Sequence, residues 1–240
     1  MSPPDVSKSA DRIAQMFDAI AGRYDVLNHL LSAGIDRRWR RYAIRVLALT
    51  GRERVLDLCT GTGDLAIAAV RADPGAAHVA GVDFAAAMLR VGRHKVRRER
   101  LDGRIALVRG DATRIPARDG SVDAVTIAFG IRNVDDVSAT CREMMRVLRP
   151  GGRIAILEFA VPETPIIGGL YLWYLHHVLP RIGRALSPSD EAYAYLPASI
   201  DAFASPDELV KTLRHAGFVD VSTVRLTFGS VCLYTAAKRA

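Results

Sequence analysis

Val55-Leu56-Asp57-Leu58-Cys59-Thr60-Gly61-Thr62-Gly63-Asp64, followed by Gly81-Val82-Asp83, is the stretch that decides the fold. A β-type apolar run ends in an acidic, glycine-rich turn that opens a helix, and the next strand ends in an Asp. That is the layout of a nucleoside-binding α/β domain. Gly61 and Gly63 let backbone approach a ligand, and Asp83, 20 residues past Gly63, is placed to accept ribose hydroxyls. Gly61-x-Gly63-x-x-Ala66 also satisfies the dinucleotide fingerprint, so the loop alone does not name the nucleoside, and a plain structural turn is the bland alternative. Charge narrows the choice. The loop holds Asp57 and Asp64 and no Lys or Arg, at a helix N-terminus where phosphate otherwise settles. A pyrophosphate is repelled there, which disfavours an NAD-dependent oxidoreductase. A cationic ligand without phosphates is not, and S-adenosyl-L-methionine, with sulfonium and ammonium groups, fits that description.

Outward from this stretch, strands and helices alternate. Arg54–Leu58, His78–Asp83, Ile105–Arg109, 122–127 and 153–158 read as strands, with helices after Asp64, Ala85 and Asp136. Continuous apolar strands separated by helices predict a parallel sheet covered on both faces. Pro150-Gly151-Gly152 reads as a tight turn ahead of the fifth strand. A helix over 206–216 and strands over Val219–Leu226 and Val231–Ala237, joined by a short loop at Gly229, add an antiparallel terminal pair. The fold expected is α/β and Rossmann-like, a seven-strand, mostly parallel sheet with N-terminal helices and a helical insertion. Residues 1–50 form a helical cap with a fraying start, in which Trp39, Tyr42, Ala43, Val46 and Leu47 make one helical stripe. Residues 51–240 form the main domain, interrupted near 162–197 by two helical segments.

A chain of 240 residues, 50% of them hydrophobic, suffices for such a domain with a sizeable core. The net charge of +7 raises nucleic acid or an anionic membrane surface as a partner. The arginines are spread along the chain, densest at Arg37-Arg38-Trp39-Arg40-Arg41 and from Arg90 to Arg104, and read as solvated helix faces. Cys59, Cys141 and Cys232 are odd in number and far apart, which suits a reducing compartment. No metal-ligand pattern or signal peptide is read, and no apolar run reaches the ~18 residues of a membrane span. A cytoplasmic protein, at most peripheral to the inner face of a membrane, is expected.

Two further candidates stand at carboxyl strand edges, where such folds bind ligands. Asp111, with the backbone N–H of Ala112, is placed to reach an adenine, and its bland reading is an ordinary turn acid. Phe129-Gly130-Ile131-Arg132-Asn133-Val134 follows the fourth strand. Arg132 and Asn133 are either a structural cap or a substrate-side pair facing a transferable methyl.

A wider set of segments carries a resemblance. Phe17-Asp18-Ala19-Ile20-Ala21-Gly22-Arg23-Tyr24-Asp25 with Asn28, the Thr60 to Asp64 loop, the FGIRNV block from Phe129, Leu157-Glu158-Phe159, and Tyr193-Ala194-Tyr195-Leu196 with Ser199-Ile200 are the main ones. From about Phe17 to the C-terminus the chain resembles the ubiquinone/menaquinone biosynthesis C-methyltransferases. The glycine loop is common to many methyltransferases, whereas the other blocks are specific in combination. The resemblance implies methyl transfer from S-adenosyl-L-methionine to a ring carbon of a prenylated quinol. That is demethylmenaquinol giving menaquinol, or the homologous ubiquinone-pathway step. It places the donor on Thr62, Asp83, Asp111 and Ala112, and matches Tyr24, Arg132 and Asn133 to catalytic or substrate-binding residues. Ala128 stands where the family has a serine, and Ala117-Arg118-Asp119-Gly120 departs from its usual Phe-Pro-Asp. The partners implied are the quinol and a transient membrane-surface contact, with no nucleic acid; a homo-oligomer stays open.

Carbon methylation requires a nucleophilic ring, and a phenol with a pKa of about 10 must be stabilised as its oxyanion. Arg132 is the expected stabiliser, with Asn133 and Tyr24 orienting the hydroxyl, and His176 and His177 are rival bases. The segment from Ile166 to Leu175 is too short to span a bilayer. It reads either as a core helix or as a helix that lines the tail's entry and touches the membrane surface.

Overall fold

The computed structural model describes residues 10–32, 34–178, 181 and 190–240. Three helices come first, α1 (Ala10–Ile20), α2 (Tyr24–Leu31) and α3 (Asp36–Val46). Then follow β1 (Arg54–Leu58), α4 (Asp64–Arg71), β2 (His78–Asp83), α5 (Ala86–Arg98), β3 (Ile105–Arg109), β4 (Val122–Ala128), α6 (Val137–Val147) and β5 (Leu148–Phe159). The insertion consists of α7 (Pro165–Trp173), a π-helical turn over Tyr174–Val178, and α8 (Asp190–Asp201). The chain closes with α9 (Pro206–His215), β6 (Val219–Leu226) and β7 (Val231–Ala237).

The seven strands form one sheet in the order β3-β2-β1-β4-β5-β7-β6. The first five are parallel and β7 is antiparallel to both its neighbours. In β1 the alternation of side chains sends Val55 to one core, with Leu65, Ala66 and Ala69 of α4. Leu56 and Leu58 go to the other, with Cys141 and Met144 of α6. Apolar residues on both faces of a strand are what a doubly covered sheet requires, each buried Leu or Val contributing about 1.5–3 kcal/mol. Chain order reverses between β1 and β4, so a crevice opens above their carboxyl ends.

The fifth strand differs from its expected form. It begins at Leu148, and Pro150-Gly151-Gly152 is a bulge inside it rather than a turn before it. Pairing with β4 jumps from Val122↔Leu148 to Ala124↔Arg153, and the Gly151 N–H donates to Lys238 O at 3.0 Å. Trp39 and Ala43 of α3 and Leu47 just past its end are buried, with Tyr42 and Val46 packed against the same core. The indole Nε1–H of Trp39 donates to Thr227 Oγ1 at 2.9 Å, which ties the N-terminal helices to the turn between β6 and β7. The fraying start and 182–189 of the insertion lie outside the described residues. Among the described residues no helix is long and apolar enough to cross a membrane.

Candidate active site

Two residues that follow the strands flanking the crevice adopt left-handed backbone, Cys59 after β1 (φ 51°) and Phe129 after β4 (φ 59°). Such conformations are costly for side-chain-bearing residues and mark where a chain is held for a purpose. Gly130 packs between them. A Cβ there would stand 2.3 Å from Cys59 Cβ, so only glycine fits. At the start of α4, Gly63 takes φ 81°. The Gly61 N–H points across the crevice and donates to Asp83 Oδ2 at 2.7 Å, while Ala85 N–H donates to Oδ1 at 2.8 Å. Burial raises the Asp83 carboxyl above its ordinary range, countered in part by the N–H groups of Ala85, Gly61 and Phe84.

Asp83 lines a cavity of about 160 Å³ together with Phe84, Met88, Asp111, Ala112 and Asn133. Asp111 is also a turn acid, its Oδ1 accepting from Thr113 N–H at 2.8 Å. Ala128 lines the cavity with a methyl, so no side-chain hydroxyl is offered at that point. Among the described residues three carboxylates, Asp83, Asp111 and Asp135, line this space and no Lys or Arg does. The chamber therefore suits a nucleoside that carries positive charge and lacks phosphate.

The two acids of the loop itself do not act as their local sequence suggests. Asp57 is 1% exposed and accepts from the hydroxyls of Thr60 (2.5 Å) and Thr126 (2.7 Å). Burial pushes its carboxyl up to about 6 in spite of those donors. Asp64 is paired with Lys95 of α5, and Arg40 Nη2 of α3 stands 3.8 Å away. The Thr62 hydroxyl donates to Asp25, and Lys95 Nζ reaches Asp25 at 2.7 Å and Thr62 Oγ1 at 3.1 Å. Cations from other helices thus neutralise the charge that a reading of the loop alone leaves uncompensated. Neither Asp57 nor Thr62 lines the larger cavity. With Gly61 and Arg40 they bound a narrow crevice of about 20 Å³ beside it.

A second cavity of about 250 Å³ shares Phe17, Tyr24 and Phe129 with the first. Its wall is aromatic. Phe129 stacks on Phe159 with centroids 4.5 Å apart, and Trp39 tilts against Phe129 at 5.9 Å. Arg132, in the short 3-10 turn over Ile131–Asn133, enters it as a buried cation. Its Nη1 donates to Phe129 O and Glu158 Oε1, both at 2.7 Å, and its Nε to Ser199 Oγ at 3.2 Å. Nη2 makes no hydrogen bond among the described residues. Asn133 Oδ1 accepts from the Tyr195 hydroxyl at 3.1 Å. Tyr24 is hydrogen-bonded to Asn28, and burial raises its hydroxyl further above 10, so at neutral pH it is a donor.

Tyr24 thus lines both cavities, while Arg132 lines the second and its chain neighbour Asn133 the first. The structure does not bring the histidines there. His176 Nε2 lies 3.1 Å from Asp201 Oδ2 on the surface, and His177 stacks on Trp173. Neither lines the second cavity, so both are set aside as bases. Three buried charged residues were given no role by the sequence. Glu158, fully buried, could have been found as an acid ending an apolar strand. Asp36 precedes the Arg37 to Arg41 segment read as a solvated face, a reading that holds for the exposed Arg37, Arg38 and Arg41 but not for its partner Arg40, 7% exposed.

A twisted sheet in this strand order, with helices on both faces and a carboxylate-lined cavity at its switch point, has the fold of the class I S-adenosylmethionine-dependent methyltransferases. The solved structure of the [4+2]-cyclase SpnF superposes with a TM-score of 0.71 at 17% identity over 100% of both chains. Phosphoethanolamine N-methyltransferase 2 of Haemonchus contortus, in complex with S-adenosyl-L-methionine, gives 0.63 at 16% identity over 85% of this chain and 53% of its own. At those identities the likeness is one of fold. Sequence goes further. The ubiE/COQ5 methyltransferase family model matches residues 5–238, and the chain belongs to that family. It is 46% identical over 233 residues to the ubiquinone/menaquinone biosynthesis C-methyltransferase UbiE of Geobacter sp. (strain M21), covering 97% of this chain and 99% of the relative. It is 42% identical over 231 residues to a demethylmenaquinone methyltransferase of Bacteroides fragilis (strain YCH46), covering 96% and 94%.

Proposed function

We propose that the protein transfers a methyl from S-adenosyl-L-methionine to a ring carbon of demethylmenaquinol, giving menaquinol. One observation carries this reading: a carboxylate-lined cavity adjoins, with Phe17, Tyr24 and Phe129 common to both linings, an aromatic cavity that holds a buried arginine. The donor supplies an electrophilic methyl on a sulfonium. Asp83 holds its ribose hydroxyls, Asp111 and the Ala112 N–H border its adenine, and the Gly61 to Gly63 backbone follows its chain toward the crevice of Asp57 and Thr62. On the acceptor side the Phe129–Phe159 stack keeps a flat ring edge-on to the junction. Arg132 Nη2 and the Tyr24 hydroxyl donate to the quinol oxygen, and Asn133, oriented by Tyr195, completes the set. Closure by aromatic walls keeps water from the oxyanion and strengthens these bonds.

Relatives named for both quinone pathways leave the benzoquinol step as the second reading. Labelled donor offered with naphthoquinol and benzoquinol acceptors in parallel, with products identified by mass, decides between them. Label on the naphthoquinol supports the proposal, and label on the benzoquinol alone replaces it.

The site acts on a lipid, and the insertion offers a way in. Tyr171, Tyr174 and Leu175 line the acceptor cavity, while Ile166, Leu170 and Trp173 on α7 are 85%, 64% and 54% exposed. Phe228, 79% exposed, sits between Thr227 and Gly229 of the turn that also borders that cavity. This outer face is proposed to rest on the cytoplasmic membrane surface while the prenyl tail passes inward along α7.

A further inference from the structure

We propose that Asp36 is the base that removes the ring hydrogen during methylation, with His29 and Arg40 as the residues that position it. The inference rests on the reaction proposed above. When an aromatic carbon takes a methyl from a sulfonium, ring electrons form the new carbon–carbon bond and the broken C–S pair stays on sulfur. The ring is restored only when the hydrogen on that carbon leaves as a proton, so each methyl transferred requires a proton acceptor within the chamber.

Few side chains can serve. Among the described residues lining the acceptor cavity, Asp36 is the one carboxylate, and no His, Lys or Cys is present. Arg40 and Arg132 stay protonated. Burial raises the hydroxyls of Tyr24, Tyr171, Tyr174 and Tyr195, which keeps them as donors. Glu158 lies behind Arg132 and does not reach the cavity.

Asp36 is 3% exposed and held on several sides. Its Oδ1 accepts from Ser32 Oγ at 2.8 Å, and its Oδ2 from His29 Nδ1 at 2.8 Å and from Arg40 Nη1. The Oδ1 atom, with a single donor, keeps a lone pair. Burial alone would raise the carboxyl, but Arg40, Ser32 and His29 outweigh it and hold it below the ordinary range. A weak base suffices here because loss of the hydrogen is driven by return of aromaticity.

His29 carries the arrangement to the surface. It lines a wide cleft with Asp25, Asp64 and Lys95, and its Nε2 stands 4.0 Å from Asp64 Oδ2. His29, Asp36 and Asp64 come close enough together to hold a metal ion. Arg40 on Asp36 and Lys95 on Asp64 already supply the positive charge at those oxygens.

The test uses the full chain and a quinol deuterated at the carbon to be methylated. Wild type should show no primary isotope effect, because methyl transfer precedes loss of the hydrogen. Asp36→Asn should lose tenfold or more in kcat and acquire a primary isotope effect, with calorimetric affinity for donor and acceptor within twofold of wild type. Should that variant fail to fold, Asp36→Glu, which keeps the charge but shifts the carboxylate, should show the same isotope effect with a smaller loss. His29→Gln should lower kcat less than either. A folded Asp36 variant with wild-type kcat, or one slowed without an isotope effect and with weakened acceptor binding, overturns the assignment. If wild type methylates no quinol, it is the underlying reaction that fails.

Discussion

Glu158 grips Arg132 at two points, the guanidinium Nη1 at 2.7 Å and the backbone N–H at 3.2 Å, from a carboxylate with no solvent exposure. Removing one member of such a pair leaves a buried charge uncompensated, at a cost of about 3–5 kcal/mol. Glu158→Gln should therefore lower the denaturation midpoint sharply. Pairing it with Arg132→Met should cost much less than the sum of the two single changes. A double-mutant cycle measures this, and additive costs would show that the pair is not coupled.

Arg132→Lys probes the same guanidinium from the chemical side. A lysine offers a point charge and cannot serve Phe129 O, Glu158 and Ser199 while leaving a donor for the quinol. Donor affinity should stay near normal while kcat falls roughly 10²-fold or more. Intact kcat with weakened donor binding would remove Arg132 from the acceptor side.

Asp83→Ala should weaken S-adenosyl-L-methionine binding by about 1–3 kcal/mol, the loss of hydrogen bonds to a charged acceptor. The same change frees the N–H groups of Gly61 and Ala85, so the loop should loosen as well. Calorimetry gives the affinity and amide exchange at Gly61 gives the loosening. Unchanged affinity in a folded variant would falsify the ribose assignment.

The Asp57 carboxyl, ordinarily at 3.8, is raised to about 6 in the folded protein. The native state thus holds this proton more tightly than the unfolded chain. Its contribution to stability is complete below 3.8 and is lost as pH rises through about 6. The whole swing is of order 3 kcal/mol. The stability difference between wild type and Asp57→Asn should therefore move in favour of the variant across that window. A difference independent of pH would mean that Asp57 titrates normally.

For the outer face of α7, weak binding to anionic vesicles, released by salt, is the expected wild-type behaviour in co-sedimentation. Trp173→Ala combined with Leu170→Ala should bind less, and should lose activity on a long-tailed quinol more than on a short-tailed one. Equal losses on both acceptors with unchanged vesicle binding would leave the helix a plain wall of the cavity.

The sheet was legible in the chain because each strand is a bounded apolar run whose neighbours are set by local helices. Five of the seven strands have the bounds read from sequence, and the misjudged start of β5 is a bulge, which only pairing with β4 reveals. That Gly61, Asp83 and Asp111 line one cavity was legible for a similar reason, since each stands at or just past the carboxyl end of a strand. What could not be read locally was compensation through space. Nothing adjacent to Asp64 in sequence announces Lys95, and nothing beside Asp36 says that it turns inward while Arg37 and Arg38 turn out.

Trp39 and Thr227 are 188 residues apart in the chain and meet in one hydrogen bond at the rim of the acceptor cavity. During synthesis the nucleoside chamber has its strands and loops once residue 135 has emerged, whereas the quinol chamber lacks its rim until the final hairpin is made. The two cavities thus mature in order, and the nascent chain gains the carboxylate-lined one before the aromatic one. A chain cut short before β6 also lacks β7, whose Val231, Cys232, Leu233 and Tyr234 are buried in the core, so it bares the apolar edge of β5, and early termination becomes a route to aggregation rather than to a merely idle enzyme.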